Sequence, residues 1–212
     1  MLRTGERKNQ YILFLLGTMA WTAVVLWVNF HAAQWYNFDM YADANVAKRM
    51  AEQKTFFPEN WIFGNQYYII ATPVVASLFY RIFHNSVLAM SFAASLMFAL
   101  VLLCYAWFTR PLFSKKAQWA GIFCMAGATI LGDSISSSTY GFQILYTMAA
   151  YYACYLLVIV FDLGIWVRLR KGMKVSPVLP VLALAGSFAL GVQSPRETLS
   201  LCVPLLLITG WM

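Results

Sequence analysis

Four residues have types and positions suited to chemistry: Asp39, Asp43, Asp133 and Arg196. Asp39 and Asp43 lie in NFDMYADANVAKRM (37–50), shortly after a long apolar run. A carboxylate at a membrane surface, backed by a helix, can take the proton from an acceptor hydroxyl. Either residue could instead cap a helix, since Asp readily accepts hydrogen bonds from a first turn. Asp133 falls in GDSISSSTYG (132–141), a second polar stretch. Together with Asp39 it could bind a hard divalent cation such as magnesium or manganese; alone it reads as a turn residue among Gly and Ser. Arg196, in QSPRET (193–198), could clamp a phosphate through paired hydrogen bonds. Pairing with Glu197 or with lipid headgroups is the competing role.

The remaining polar residues read more simply. Arg81 sits in an apolar segment and is placed to snorkel to an interface. His31 and His84 occur singly, without metal-ligand spacing. Asp162, close to Arg168, reads as an ion-paired or hydrogen-bonded acid. The four cysteines lie inside apolar runs with no CxxC spacing, as small core residues do.

The elements that must position these groups are hydrophobic helices. The chain is 61% hydrophobic and only 11% charged, against roughly 25% charged in soluble domains. So few charges could not cover so much apolar surface in water, whereas a bilayer removes the need. Apolar runs cover Tyr11–Phe30, Ser86–Phe108, 117–131, Phe142–Trp166, Pro177–Val192 and Leu199–Met212. Ile69–Phe83 contains Pro73 and is short for a crossing, which favours a re-entrant or interfacial piece. Residues 44–54 place Ala44, Val46, Ala47, Met50 and Ala51 on one face of an amphipathic helix lying at the membrane surface and ended by Pro58. The expected fold is therefore all-α: a polytopic transmembrane bundle forming one domain over 1–212, with an outer-face juxtamembrane helix after the first span.

Charge distribution assigns the sides. The N-terminus, 110–116 and 168–174 hold ten of the 15 Lys and Arg residues, and placing all three segments in the cytoplasm satisfies the rule for basic loops. That arrangement needs a single crossing between residues 31 and 109, with 69–83 left uncrossed. Asp39, Asp43 and Asp133 then face outside. The basic residues are grouped between spans, and no aromatic-plus-basic nucleic-acid motif is visible, so nucleic acid is set aside as a partner. The last run stops at Met212 without a polar flank, which leads to the expectation of an N-terminal portion of a larger membrane protein.

In this order, the pieces resemble the GT-C superfamily of integral-membrane glycosyltransferases, in particular the protein O-mannosyltransferases and the aminoarabinose transferases of lipid A. Asp39 falls at the family's first acidic position, and Ala44, Val46, Ala47 and Met50 match the small-residue helix that follows. Pro73 is similar to a remnant of the family's Pro-Pro segment, IFHNS (82–86) to its short turn, and GVQSPRETLSLCVPLLL (191–207) to a Gly…Arg…Pro segment. Met40 stands where the family has a second acid, and Ile70 and Ala71 stand where it has a basic residue. The resemblance implies transfer of a sugar, with inversion, from a polyprenyl-phosphate carrier to a glycan, lipid or protein acceptor at the outer face of a bacterial plasma membrane. It casts Asp39 as the base, Asp43 and Arg196 as substrate-binding residues, and Asp39 with Asp133 as holders of a divalent cation. The alternative class is a non-enzymatic membrane component such as a flippase or transporter subunit for lipid-linked sugars. Such proteins concentrate ionisable groups near the bilayer midplane.

Overall fold

A computed structural model describes residues 38–62, 67–135 and 153–195, together with 199 and 203, with backbone alone for 126–135. The described residues are helical and contain no strand: α1 (Phe38–Gln53), α2 (Thr72–Phe83), α3 (Ser86–Thr109), α4 (Lys115–Ile135), α5 (Ala153–Arg170) and α6 (Val178–Gln193). The apolar run Tyr11–Phe30 lies outside the described residues, as does most of Leu199–Met212.

Each boundary has a local cause. Pro73 occupies the first turn of α2, where its missing N–H costs nothing. His84 ends α2 in the left-handed region at φ 51°, and its N–H bonds back to Tyr80 O at 2.8 Å. Asn85 then caps α3 by accepting from Leu88 N at 3.0 Å. Two residues therefore reverse the chain, and Phe79, Phe83 and Phe92 pack their rings across the hairpin. Spanning 12 residues, α2 is about 18 Å long and lies along the first half of α3.

The ends of α4 and α5 differ from the sequence reading. Residues 132–135 continue α4, so Asp133 sits in the last turn of a helix and not in a loop. Likewise α5 runs past Trp166 into the basic segment, because Arg168 is held there: its guanidinium stacks 3.7 Å from the Trp107 ring and donates to Gly164 O and Trp107 O. The helix stops at Gly172, whose φ of 64° permits a closing bond from Met173 N to Arg168 O at 2.9 Å.

Helix α3 is the centre of the layer. Met97 and Val101 pack with Cys154, Tyr155 and Val158, while Trp107 stacks on Phe161, so α3 and α5 run parallel. Gln118 of α4 donates to Ala106 O, and Gly121 faces Tyr105, so α4 runs back along α3. Ser187 of α6 donates to Asp162 of α5, and Gln193 donates to Tyr155 Oη nearer the start of α5, so α6 opposes α5. The turns at 110–114 and 171–177 consequently share one end of the layer, and Lys171 Nζ donates to Pro111 O across them. Among the described residues, α3 is long and apolar enough to cross a membrane, while α2 and α6 are apolar but shorter.

Gly164 allows α5 to lie against the Trp107 ring. A Cβ there would overlap two ring carbons, and the ring is wedged between Phe161 and Arg168. Gly164→Ala is expected to lower stability by about 1–3 kcal/mol, the usual cost of overpacking. An unchanged thermal melt in detergent would show that Trp107 can move aside.

Candidate functional site

The acids following the first apolar run belong to α1, which begins earlier than the sequence reading placed it. Asp39 is in its first turn and Asp43 is one turn further on, so the two carboxylates share a helix face. Neither precedes the helix as a cap. Lys54, at φ 54°, ends α1, with Thr55 N bonding Met50 O at 3.2 Å; Pro58 follows four residues later and is not the terminator. This is a Schellman closure.

The small-residue face of α1 does not seat on lipid, contrary to the expectation for residues 44–54. Val46 and Met50 are almost fully buried. Met40, Ala44 and Ala47 share a core with Ala76 of α2 and with Met90, Ala93 and Ala94 of α3. Alanines on both sides let the backbones approach closely, and the area so buried ties α1 to the hairpin. Its outer face carries the exposed Lys48–Glu52 pair, at 3.9 Å.

This docking separates the two acids. Asp39 stays exposed, whereas Asp43 is only 3% exposed. Tyr68 Oη donates to Asp43 Oδ1 at 2.8 Å. Burial pushes the Asp43 carboxyl from 3.8 up to about 7; the Tyr68 bond pulls the other way, and the Asp39 charge adds to the rise. At neutral pH Asp43 is thus shared between its charged and neutral forms.

Sequence reasoning missed Tyr68, and it missed Gln193, the first residue of the polar QSPRET stretch (193–198). Gln193 ends α6 and is buried. Its Oε1 accepts from Ile69 N and Ile70 N, both at 3.0 Å, and its Nε2 donates to Tyr155 Oη at 3.2 Å. The extended residues before α2 have no ladder partner, so one side-chain amide supplies their acceptor. A lone amide at the end of an apolar run was the available signal. Through Tyr68 and Gln193, the segment 67–71 joins α1 to α6.

Of the residues singled out from sequence, Asp39 and Asp43 are brought together. Asp133 is placed by its backbone, on α4, which runs away from the end shared by 110–114 and 171–177. Arg196 lies outside the described residues. Among the described residues no group of three His, Cys, Asp or Glu side chains could hold a metal. The Asp133 side chain lies outside what the structure describes, so the expected Asp39–Asp133 cation pair has no geometry here, and Asp43 keeps one of its oxygens on Tyr68. Asp162 accepts from Ser187 and makes no ion pair with Arg168, so the hydrogen-bonded alternative for this acid holds.

No protein-family model, curated protein or solved structure matches the chain.

Proposed function

We propose that this chain acts in multi-pass membrane glycosyl transfer, moving a sugar from a polyprenyl-phosphate carrier to an acceptor hydroxyl at the outer face. The observation that carries the reading is the pair Asp39 and Asp43 on one face of a helix locked against α2 and α3, at the end of the layer away from the basic turns. A membrane setting is supported by the length and apolar character of α3 and by large apolar side chains left exposed on α3 and α6. Buried positions of α3 include Ala89, Ser91, Ala93, Ala94 and Ser95 beside Met90, Met97, Val101 and Leu102, while Leu96 and Leu103 are exposed, as are Leu182, Leu184 and Phe188 of α6. Lipid can cover the exposed apolar groups, and the small residues of α3 let its neighbours pack closely.

In this reading, Asp39 accepts the acceptor's proton as its oxygen attacks the anomeric carbon from the face opposite the leaving group. The bond between the anomeric carbon and the carrier phosphate breaks, and the phosphate leaves with the bonding pair, held by Arg196. Asp43 stays buried and positions α1, and with it Asp39. Arg196 follows Gln193 by three residues, so chain length keeps their Cα atoms within about 11 Å. No step is routed through a metal ion.

A photoactivatable polyprenyl-phosphate analogue tests the proposal. Cross-links are expected on α1 or on residues 67–71. Cross-links confined to α5 and α6 around Asp162 would instead favour a carrier for lipid-linked sugars. That second reading has its own support: Asp162 Oδ1 is buried without a hydrogen-bond partner among the described residues, and acids within membrane helices commonly mark a transport path.

Sidedness has a separate test in a cysteine-free background. Glu52→Cys is expected to react with an impermeant thiol reagent from outside, and Lys115→Cys only after permeabilisation. Labelling of Lys115→Cys from outside would reverse the assignment and require α2 to cross.

A further inference from the structure

The basic end of the layer is a single surface assembled from two distant turns. Arg110, Lys115, Lys116, Arg170, Lys171 and Lys174 are exposed there, and neither 110–116 nor 168–174 contains an acid. The Lys171 bond to Pro111 O holds the two turns side by side. Arg168, the remaining cation of the two turns, is folded inward onto Trp107 and backbone carbonyls and does not join the outer set. Exposed Leu112, Phe113, Leu169 and Met173 are interleaved with the charges. Cations alternating with apolar side chains suit the boundary where acyl chains meet headgroups.

We propose that this surface binds the anionic phospholipids of the adjoining leaflet, drawing their phosphates onto the turns 110–116 and 168–174. Charge complementarity selects this occupant, because like charges crowded on one face need mobile counter-charges that a lipid leaflet supplies. The apolar residues between them favour a lipid over a soluble polyanion. The inference does not depend on the transfer reading, since it concerns the opposite end of the layer.

The test uses the whole protein in nanodiscs of phosphatidylcholine mixed with phosphatidylglycerol, with the lipids retained on partial delipidation counted by native mass spectrometry. Phosphatidylglycerol is expected to be retained preferentially, and the preference to fall as salt rises. K115Q/K116Q/K174Q removes three exposed charges and none of the contacts described above. It is expected to weaken the preference about fivefold per lysine, roughly a hundredfold together. Equal retention of both lipids by the unaltered protein would overturn the proposal, as would a preference insensitive to salt or unchanged in the variant. Tight capture of poly-glutamate by the unaltered protein, without lipid preference, would overturn it in favour of an acidic polypeptide. A variant that fails to insert leaves the salt series on the unaltered protein to decide.

Discussion

Asp39→Asn is expected to cut sugar transfer by about 10²–10⁴-fold while leaving the fold intact. Asparagine keeps the side chain's shape and removes the group that accepts the proton. Asp39 is exposed in the first turn of α1, so the substitution disturbs no buried contact. The loss of a favourable charge at a helix N-terminus costs about 0.3–1 kcal/mol, far too little to unfold the protein. A structural role therefore predicts near-normal transfer with a slightly lower melting temperature. A catalytic role predicts collapse of transfer with donor binding retained. Measuring both on the same membrane preparation separates the two, and near-normal transfer by a well-inserted variant would remove Asp39 from the chemistry.

Asp43→Asn is expected to do the reverse, stabilising the protein above about pH 7 and changing little below the unfolded carboxyl value of 3.8. The folded carboxyl titrates higher than the unfolded one. Its contribution is fully present below 3.8, declines as pH rises, and is lost above about 7. The interval corresponds to at most about 4 kcal/mol, less whatever local relaxation recovers. Asparagine occupies the same volume, still accepts the Tyr68 hydrogen bond, and carries no charge to desolvate. Thermal melts across this pH range should therefore converge at low pH and separate at high pH. Parallel curves would mean that Asp43 is better solvated than its burial indicates. Neutralising Asp39 should shrink the same gap, because its charge raises the Asp43 carboxyl.

The helices were legible where local chemistry dictates them. The apolar stretch starting at Ser86 becomes α3 nearly residue for residue, since Asn85 caps it and no charged residue interrupts it before Arg110. Pro73 marked a short apolar piece, and IFHNS (82–86), likened to a short turn, holds the His84–Asn85 reversal between α2 and α3. The face of α1 was legible as well, but its partner was not. Ala44, Val46, Ala47 and Met50 have the same spacing whether they meet lipid or another helix, and here they meet α2 and α3. A helix read from residue 44 leaves Asp39 and Asp43 ahead of it, with nothing local to say which would be buried. That choice is made by Tyr68, which lies 25 residues from Asp43. Arg168 looked like one basic residue among several, and only the packing of α5 on α3 turns it inward.

The Gln193 clamp also sets an order of assembly during synthesis. Ile69 and its acceptor are separated by 124 residues of chain. At the usual pace of translation, roughly 5–20 residues per second, the acceptor is made on the order of ten seconds after the donors. Through that interval the α2–α3 hairpin can form locally, but the amides of Ile69 and Ile70 lack their final partner. An unmatched amide in hydrocarbon costs several kcal/mol. The segment before α2 therefore has to wait in contact with water or the insertion machinery, and α1 can settle for good only once α6 has been delivered.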